Sequence, residues 1–199
     1  LSARVPAKRR PLDLAGRGRL NRAMGQDLGE AFDVVDEQDR VIGQAARGEV
    51  HARGWRHRAV HIFLTNRAGQ VFLHQRSLRK DTFPGKWNSS CAGHVAAGDD
   101  YDATVPRELE EELGCRLERA PVRLLKLEAS PEMGQEFVWV YHGVSEGPFT
   151  LNPAEILRGD WFNPEQIDAW TTRASEDFAT SFLHVWPRVR PLLAKERQG

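Results

Sequence analysis

The sequence predicts an α/β (α+β) fold, with a mixed β-sheet packed between helices as an α/β/α sandwich. Three observations predict it. Short apolar runs bounded by turn residues recur along the chain, a carboxylate-rich helical segment interrupts them, and two further helical segments follow the last run.

Phe32, Val34 and Val35 make a first short strand. Asp36-Glu37-Gln38-Asp39 reads as a turn, and Val41-Ile42-Gly43 returns as the partner. Residues 58 to 65, Arg-Ala-Val-His-Ile-Phe-Leu-Thr, form a strong strand. Asn66-Arg67-Ala68-Gly69 then turns the chain into Val71-Phe72-Leu73-His74 as a hairpin. A long loop runs to Trp87, and a strand around 90 to 95 leads into the carboxylate helix. Residues 122 to 127 and 136 to 142 are two more strands, and Trp161-Phe162 is short and extended. Asn163-Pro164-Glu165-Gln166 starts a helix: Asn163 caps, Pro164 takes the first position and Gln166 reaches back. Phe178, Phe182 and Trp186 at spacing four form a core stripe in the last helical region, which Pro187 is expected to break or bend.

The carboxylate helix carries the chemistry. Glu108, Glu111 and Glu112 fall at i, i+3 and i+4, so they share one face. Like charges at this spacing destabilise an isolated helix by a few tenths of a kcal/mol per pair. Leu109 and Leu113 lie on a neighbouring face that can dock on a core. One side packs while the other presents three acids, an oxygen-only donor set suited to Mg²⁺ or Mn²⁺. Gly114 stands where a left-handed cap is needed. Pro106 is tolerated only near a helix start, so the helix is expected to begin late, with Asp102 as N-cap, or to kink at Pro106.

Three glutamates alone would fit a solvated acidic face. Here they follow Gly93, Asp99 and Arg107 and precede Gly114 at fixed spacings across residues 93 to 115. That pattern resembles the Nudix box, the signature of enzymes that hydrolyse a diphosphate linked to another group. Asp99 departs from the family's usual glutamate by one methylene. The resemblance implies a Nudix-type sandwich over residues 29 to 195. It also implies Mg²⁺ (or Mn²⁺) held by Glu108, Glu111, Glu112 and the Gly93 carbonyl, with Arg107 pairing one of the acids. The general base varies within the family; Glu136, at a strand start, is the candidate here.

A second resemblance runs through Trp55-Arg56-His57-Arg58-Ala59-Val60, Gln75-Arg76-Ser77, Lys80, Phe83-Pro84-Gly85, Trp87 and Gly93-His94. These residues are similar to isopentenyl-diphosphate isomerase, itself of the Nudix fold. The resemblance implies that Arg76 and Lys80 hold the substrate's diphosphate, a role two cations at a strand end can fill. The isomerase needs a cysteine directly before Gly-His, where this chain has Ala92; Cys91 is one residue early and points to the opposite face of a strand. Of the isomerase's histidine-rich metal site, His57 and His94 match, His51 is off register, and one of two strand acids falls on Gly134, leaving Glu136. Hydrolysis of a nucleoside diphosphate derivative or related small diphosphate is therefore the first expectation. The isomerase and a non-catalytic Nudix-fold ligand sensor are the alternatives.

Composition narrows the class. The chain is 40% hydrophobic and 28% charged, ordinary for a soluble domain. It holds no apolar run near the roughly 20 residues that span a bilayer, and no membrane role is expected. Two cysteines cannot frame a disulfide scaffold, which fits a reducing cytoplasm. Residues 1 to 23 hold seven basic residues against Asp13, and residues 1 to 28 are expected to be a flexible basic arm. Nucleic acid is not the expected partner, since the arm is the only support for it. Trp55 and Trp139 are aromatic candidates for stacking on a base. A homodimer is the base-rate expectation for assembly.

Overall fold

The computed structural model describes residues 29 to 196. The expected arm at 1 to 28 lies outside the described residues. A two-stranded antiparallel sheet comes first, β1 (Ala31–Val35) and β2 (Val41–Ala46), followed by α1 (Arg47–Arg53). The main sheet contains β3 (His57–Thr65), β4 (Val71–Arg76), β5 (Trp87–Asn88), β6 (Cys91–His94), β7 (Val122–Leu127), β8 (Glu136–Val144) and β9 (Ile156–Phe162). Helix α2 (Tyr101–Leu113) follows β6, and α3 (Pro164–Arg173) and α4 (Thr180–Glu196) follow β9.

The sheet is mixed. β3 and β8 run parallel at its centre, and the remaining pairs are antiparallel. Alternation along β3 divides the molecule into layers. Val60, Ile62 and Leu64 point to α2 and pack with Val105, Leu109 and Leu113. Ala59 and Phe63 point to the other layer, where Phe182, Val185, Trp186 and Val189 of α4 and Ile167 of α3 close the core. Each such buried side chain contributes about 1.5–3 kcal/mol relative to exposure. The α/β/α sandwich expected from the sequence is the one observed.

Several local expectations hold. Gln166 Oε1 accepts the Asn163 N–H at 2.8 Å, closing the reach-back at the start of α3. Gly114 has φ +56° and caps α2, its N–H bonding the Glu110 carbonyl. The aromatic stripe is a ladder, with ring centroids 5.0 Å apart for Phe178–Phe182 and 5.8 Å for Phe182–Trp186.

Other expectations are corrected. Asp100, not Asp102, caps α2, accepting the Ala103 N–H at 2.8 Å; Asp102 instead pairs with Arg123 and Tyr141. Helix α2 runs through Pro106, and α4 runs through both Pro187 and Pro191. All three prolines are exposed, so the carbonyls that lose an N–H partner face water while the opposite side stays packed. Strand β9 begins five residues before Trp161, because it pairs with β4 along the latter's whole length. Helix α1 was not foreseen: its seven residues carry one buried apolar side chain, Val50, too little for a periodic signal.

Candidate active site

Strand β6 divides the site in two. Gly93 and His94 are consecutive in a strand and so face opposite layers. On the α2 side, Gly93 opens space for a carboxylate. A Cβ there would lie 2.0 Å from Glu108 Cδ and 2.3 Å from each of its oxygens, so no residue but glycine lets Glu108 sit where it does. Glu108 and Glu112 are 8% and 6% exposed, and Glu111 is half-buried. The acid face of α2 is therefore not a solvated one.

Counter-charge on this face is sparse. Arg107 reaches Glu108 at 2.8 Å and Glu111 at 3.2 Å, and donates to the His94 carbonyl at 3.1 Å, which ties α2 to β6. Glu112 accepts the Ala92 N–H at 3.3 Å. Burial, and then the mutual repulsion of Glu108 and Glu112, pushes the Glu108 carboxyl well above its ordinary range. Glu112 is raised as well, by burial first, with the Glu155 charge adding to it. Two buried carboxylates raised by desolvation and by neighbouring acids are what a divalent cation relieves. The residues present thus fit the cation that the sequence motif implies. Asp99 is exposed on the turn before α2.

The two cations expected at the diphosphate lie at the end of β4 and in the loop after it. Arg76 Nε donates to the Thr82 carbonyl at 3.0 Å and Nη2 to the Thr82 hydroxyl at 3.1 Å. Lys80 Nζ lies 2.6 Å from Glu155 Oε2, with the two side chains 14% and 32% exposed. Burial lowers the Arg76 pKa, opposed by the charges of Glu112 and Glu155. Arg76, Lys80, Glu112 and Glu155 therefore share one field. Sequence reasoning missed Glu155. It stands in an irregular segment after Asn152-Pro153, and only the tertiary contacts bring it here.

On the opposite face, β3 and β8 pair His57 with Glu136, and β3 and β6 pair Ala59 with His94. Glu136 Oε1 lies 3.1 Å from His94 Nε2 and 3.7 Å from His57 Nε2. Arg47 Nη1 is 3.1 Å from His94 Nδ1 and can only donate, so that nitrogen accepts and the His94 proton sits on Nε2, directed at Glu136. The Trp55 carbonyl, 2.9 Å from His57 Nδ1, can only accept, so Nδ1 carries a proton while Nε2 faces Glu136 at 3.7 Å. Among the described residues, that Nε2 and the Nε2 of His51 are buried without a hydrogen-bond partner. Helix α1 supplies His51, and a ring nitrogen from each of His51, His57 and His94 falls within 4.8 Å of the others. Burial first, offset by Glu136, holds His94 down to about 4. Burial alone would raise the Glu136 carboxyl, yet its contacts with His57 and His94 hold it well below the ordinary range.

The structure thus brings Gly93, Arg107, Glu108, Glu111 and Glu112 together, with Arg76 and Lys80 beside them. It does not place Glu136 with them. Glu136 belongs to the histidine cluster on the other face, because β8 pairs in register with His57. Cys91 is fully buried in the α2 layer and its thiol is raised by burial, so it packs as expected. His51, off register in sequence, is brought into the cluster by α1. Trp55 packs beside Phe32 and under Arg53, and Trp139 carries Arg123 at 4.6 Å from its ring centroid.

Comparison with known proteins gives a consistent result. A model of the NUDIX domain matches residues 55 to 182. The chain is 36% identical over 166 residues to an uncharacterized Nudix hydrolase of Yersinia pestis, covering 79% of this chain and 85% of that one. It is 32% identical over 161 residues to an isopentenyl-diphosphate Delta-isomerase of Serratia proteamaculans, covering 79% and 90%. The crystal structure of DR0079 from Deinococcus radiodurans superposes with a TM-score of 0.71 at 30% identity, covering 80% of this chain and 98% of that one.

Proposed function

The chain belongs to the Nudix family and is a Nudix pyrophosphohydrolase, and from that premise we propose that it is a Mg²⁺- or Mn²⁺-dependent enzyme cleaving the diphosphate of a nucleoside diphosphate derivative or a related small molecule. One observation carries this reading: Glu108, Glu111 and Glu112 share a face of α2, Glu108 and Glu112 are buried, Glu108 is seated against Gly93, and Arg107 pairs with Glu108 and Glu111. In the proposed assignment these three carboxylates and the Gly93 carbonyl hold the metal. When bound, the ion polarises the phosphate and makes water a better nucleophile. Arg107 fixes the rotamers of Glu108 and Glu111 and locks α2 onto β6. Arg76 and Lys80 receive the diphosphate and stabilise the charge that collects on the departing phosphate. The test is a panel of nucleoside diphosphate derivatives and small diphosphates with Mg²⁺ or Mn²⁺, reading phosphate and pyrophosphate separately. Wild type is expected to release one of them, and E112Q none. Wild-type release by E112Q would refute the assignment.

The histidine cluster favours a second reading. His57 and His51 turn orphaned nitrogens toward one point, with the Glu136 carboxylate at its edge, which suits a divalent cation of the isomerase type. The helper that chemistry requires is missing, because Ala92 stands at the cysteine position and Cys91 faces the other layer. Incubation with isopentenyl diphosphate and Mg²⁺ or Mn²⁺ is expected to give no allylic isomer. Formation of that isomer would replace the hydrolase reading.

A further inference from the structure

We propose that Glu155 is the general base of the hydrolysis, masked by Lys80 until a diphosphate takes Lys80 away. The inference rests on the hydrolase reading above. Glu155 stands in the segment that is tied to the C-terminal end of α2. The Asn152 N–H bonds the Glu112 carbonyl at 2.9 Å, and Asn152 Nδ2 bonds the Glu111 carbonyl at 3.2 Å, fixing this segment to the last turn of α2. The Glu155 N–H bonds the Asn152 carbonyl at 3.0 Å, and the Glu155 carbonyl accepts the Ser77 N–H at 2.8 Å. The backbone of Glu155 is thereby pinned between α2 and the loop that carries Lys80. Its side chain ends on Lys80 Nζ at 2.6 Å.

A diphosphate between Arg76 and Lys80 competes for the same ammonium. Its charge exceeds that of one carboxylate, so Lys80 changes partner and the Glu155 carboxylate is released next to the reacting phosphorus. Lys80, Arg76 and Glu112 share its field, and Asp81 and Glu136 also act on Arg76. The chemistry balances simply. Glu155 takes a proton from water; the water oxygen bonds to phosphorus; the P–O anhydride bond breaks and its electron pair leaves on the departing phosphate oxygen, beside Arg76. The base is thus freed only when substrate is present. Glu136, the base expected from the sequence, is engaged instead with His94 at 3.1 Å and His57 at 3.7 Å.

Two measurements on the full chain test this. Binding of imidodiphosphate, which is not hydrolysed, is read by calorimetry with and without Mg²⁺. E155Q is expected to bind about threefold to fivefold tighter than wild type, the size of one partly exposed ion pair. Weaker binding would show that Glu155 positions Lys80 rather than masks it, and would overturn the exchange. In turnover, E155Q is expected to lose about 100-fold or more in kcat with KM unchanged or lower, and E155D to recover part of that loss. An E155Q protein with wild-type kcat, or a folded E155D no better than E155Q, would overturn the base assignment. A wild-type chain that cleaves no diphosphate refutes the hydrolase reading and the base with it, while the imidodiphosphate comparison still decides the exchange.

Discussion

Replacing Glu112 with glutamine is expected to stabilise the metal-free protein while removing its activity. Glu112 is buried, and its carboxyl is raised from the ordinary 4.5 to about 7, by burial first. At about 1.4 kcal/mol per pH unit, ionising Glu112 in this buried setting weakens the fold by on the order of 2 kcal/mol. The folded value lies above the unfolded one, so between them the native protein keeps a proton that the unfolded chain has released. Stability therefore falls as pH rises through this window; the penalty is absent below the unfolded value and complete above the folded one. Glutamine never ionises, so the advantage of E112Q opens as pH rises. The assay is thermal unfolding in chelator at pH 5 and pH 8. At about 2–4 °C per kcal/mol for a domain of this size, E112Q should melt about 4–8 °C above wild type at pH 8 and close to it at pH 5. Mg²⁺ should raise the wild-type Tm at pH 8 and move E112Q little. An E112Q protein less stable than wild type at pH 8, or a gap equal at both pH values, would refute the reasoning.

Other outcomes follow from the same geometry. G93A places a methyl 2.0 Å from the Glu108 carboxyl carbon, so Glu108 must leave its seat; a loss of at least about 100-fold in kcat/KM is expected, with Tm changed by only a few degrees, and kinetics with parallel melting checks it. K80M removes half of the diphosphate clamp and should raise KM about tenfold or more, whereas an unchanged KM would place the substrate elsewhere. H57A deletes the orphaned nitrogen facing Glu136; loss of tightly bound Zn²⁺ or Mn²⁺ by elemental analysis, with hydrolysis intact, is expected if the second cluster holds a cation. F182A opens a cavity between Phe178, Phe63 and Trp186 and should cost about 3–5 kcal/mol in denaturant unfolding.

The fold was legible where local chemistry and tertiary need agree. Apolar runs marked β3 and β7, Asn163-Pro164-Gln166 marked the start of α3, and the spacing of Glu108, Glu111 and Glu112 before Gly114 marked the metal-suited face of α2. Legibility failed where packing overrides propensity. Pro187 and Pro191 sit in an unbroken helix because Phe182, Val185, Trp186 and Val189 hold its other side. Helix α1 has one buried apolar residue and announces itself by nothing local.

What the sequence by itself determined is which residues share a helix face or alternate along a strand, because these follow from backbone periodicity alone. It therefore set out the three-carboxylate face and the opposite facing of Cys91 and Ala92. Only the tertiary structure decided which residues from distant segments meet. Strand register put Glu136 beside His57 rather than beside Glu108, α1 carried His51 to the same cluster, and backbone bonds from Asn152 and Ser77 set Glu155 against Lys80. Those meetings depend on long-range pairing, which no local spacing encodes.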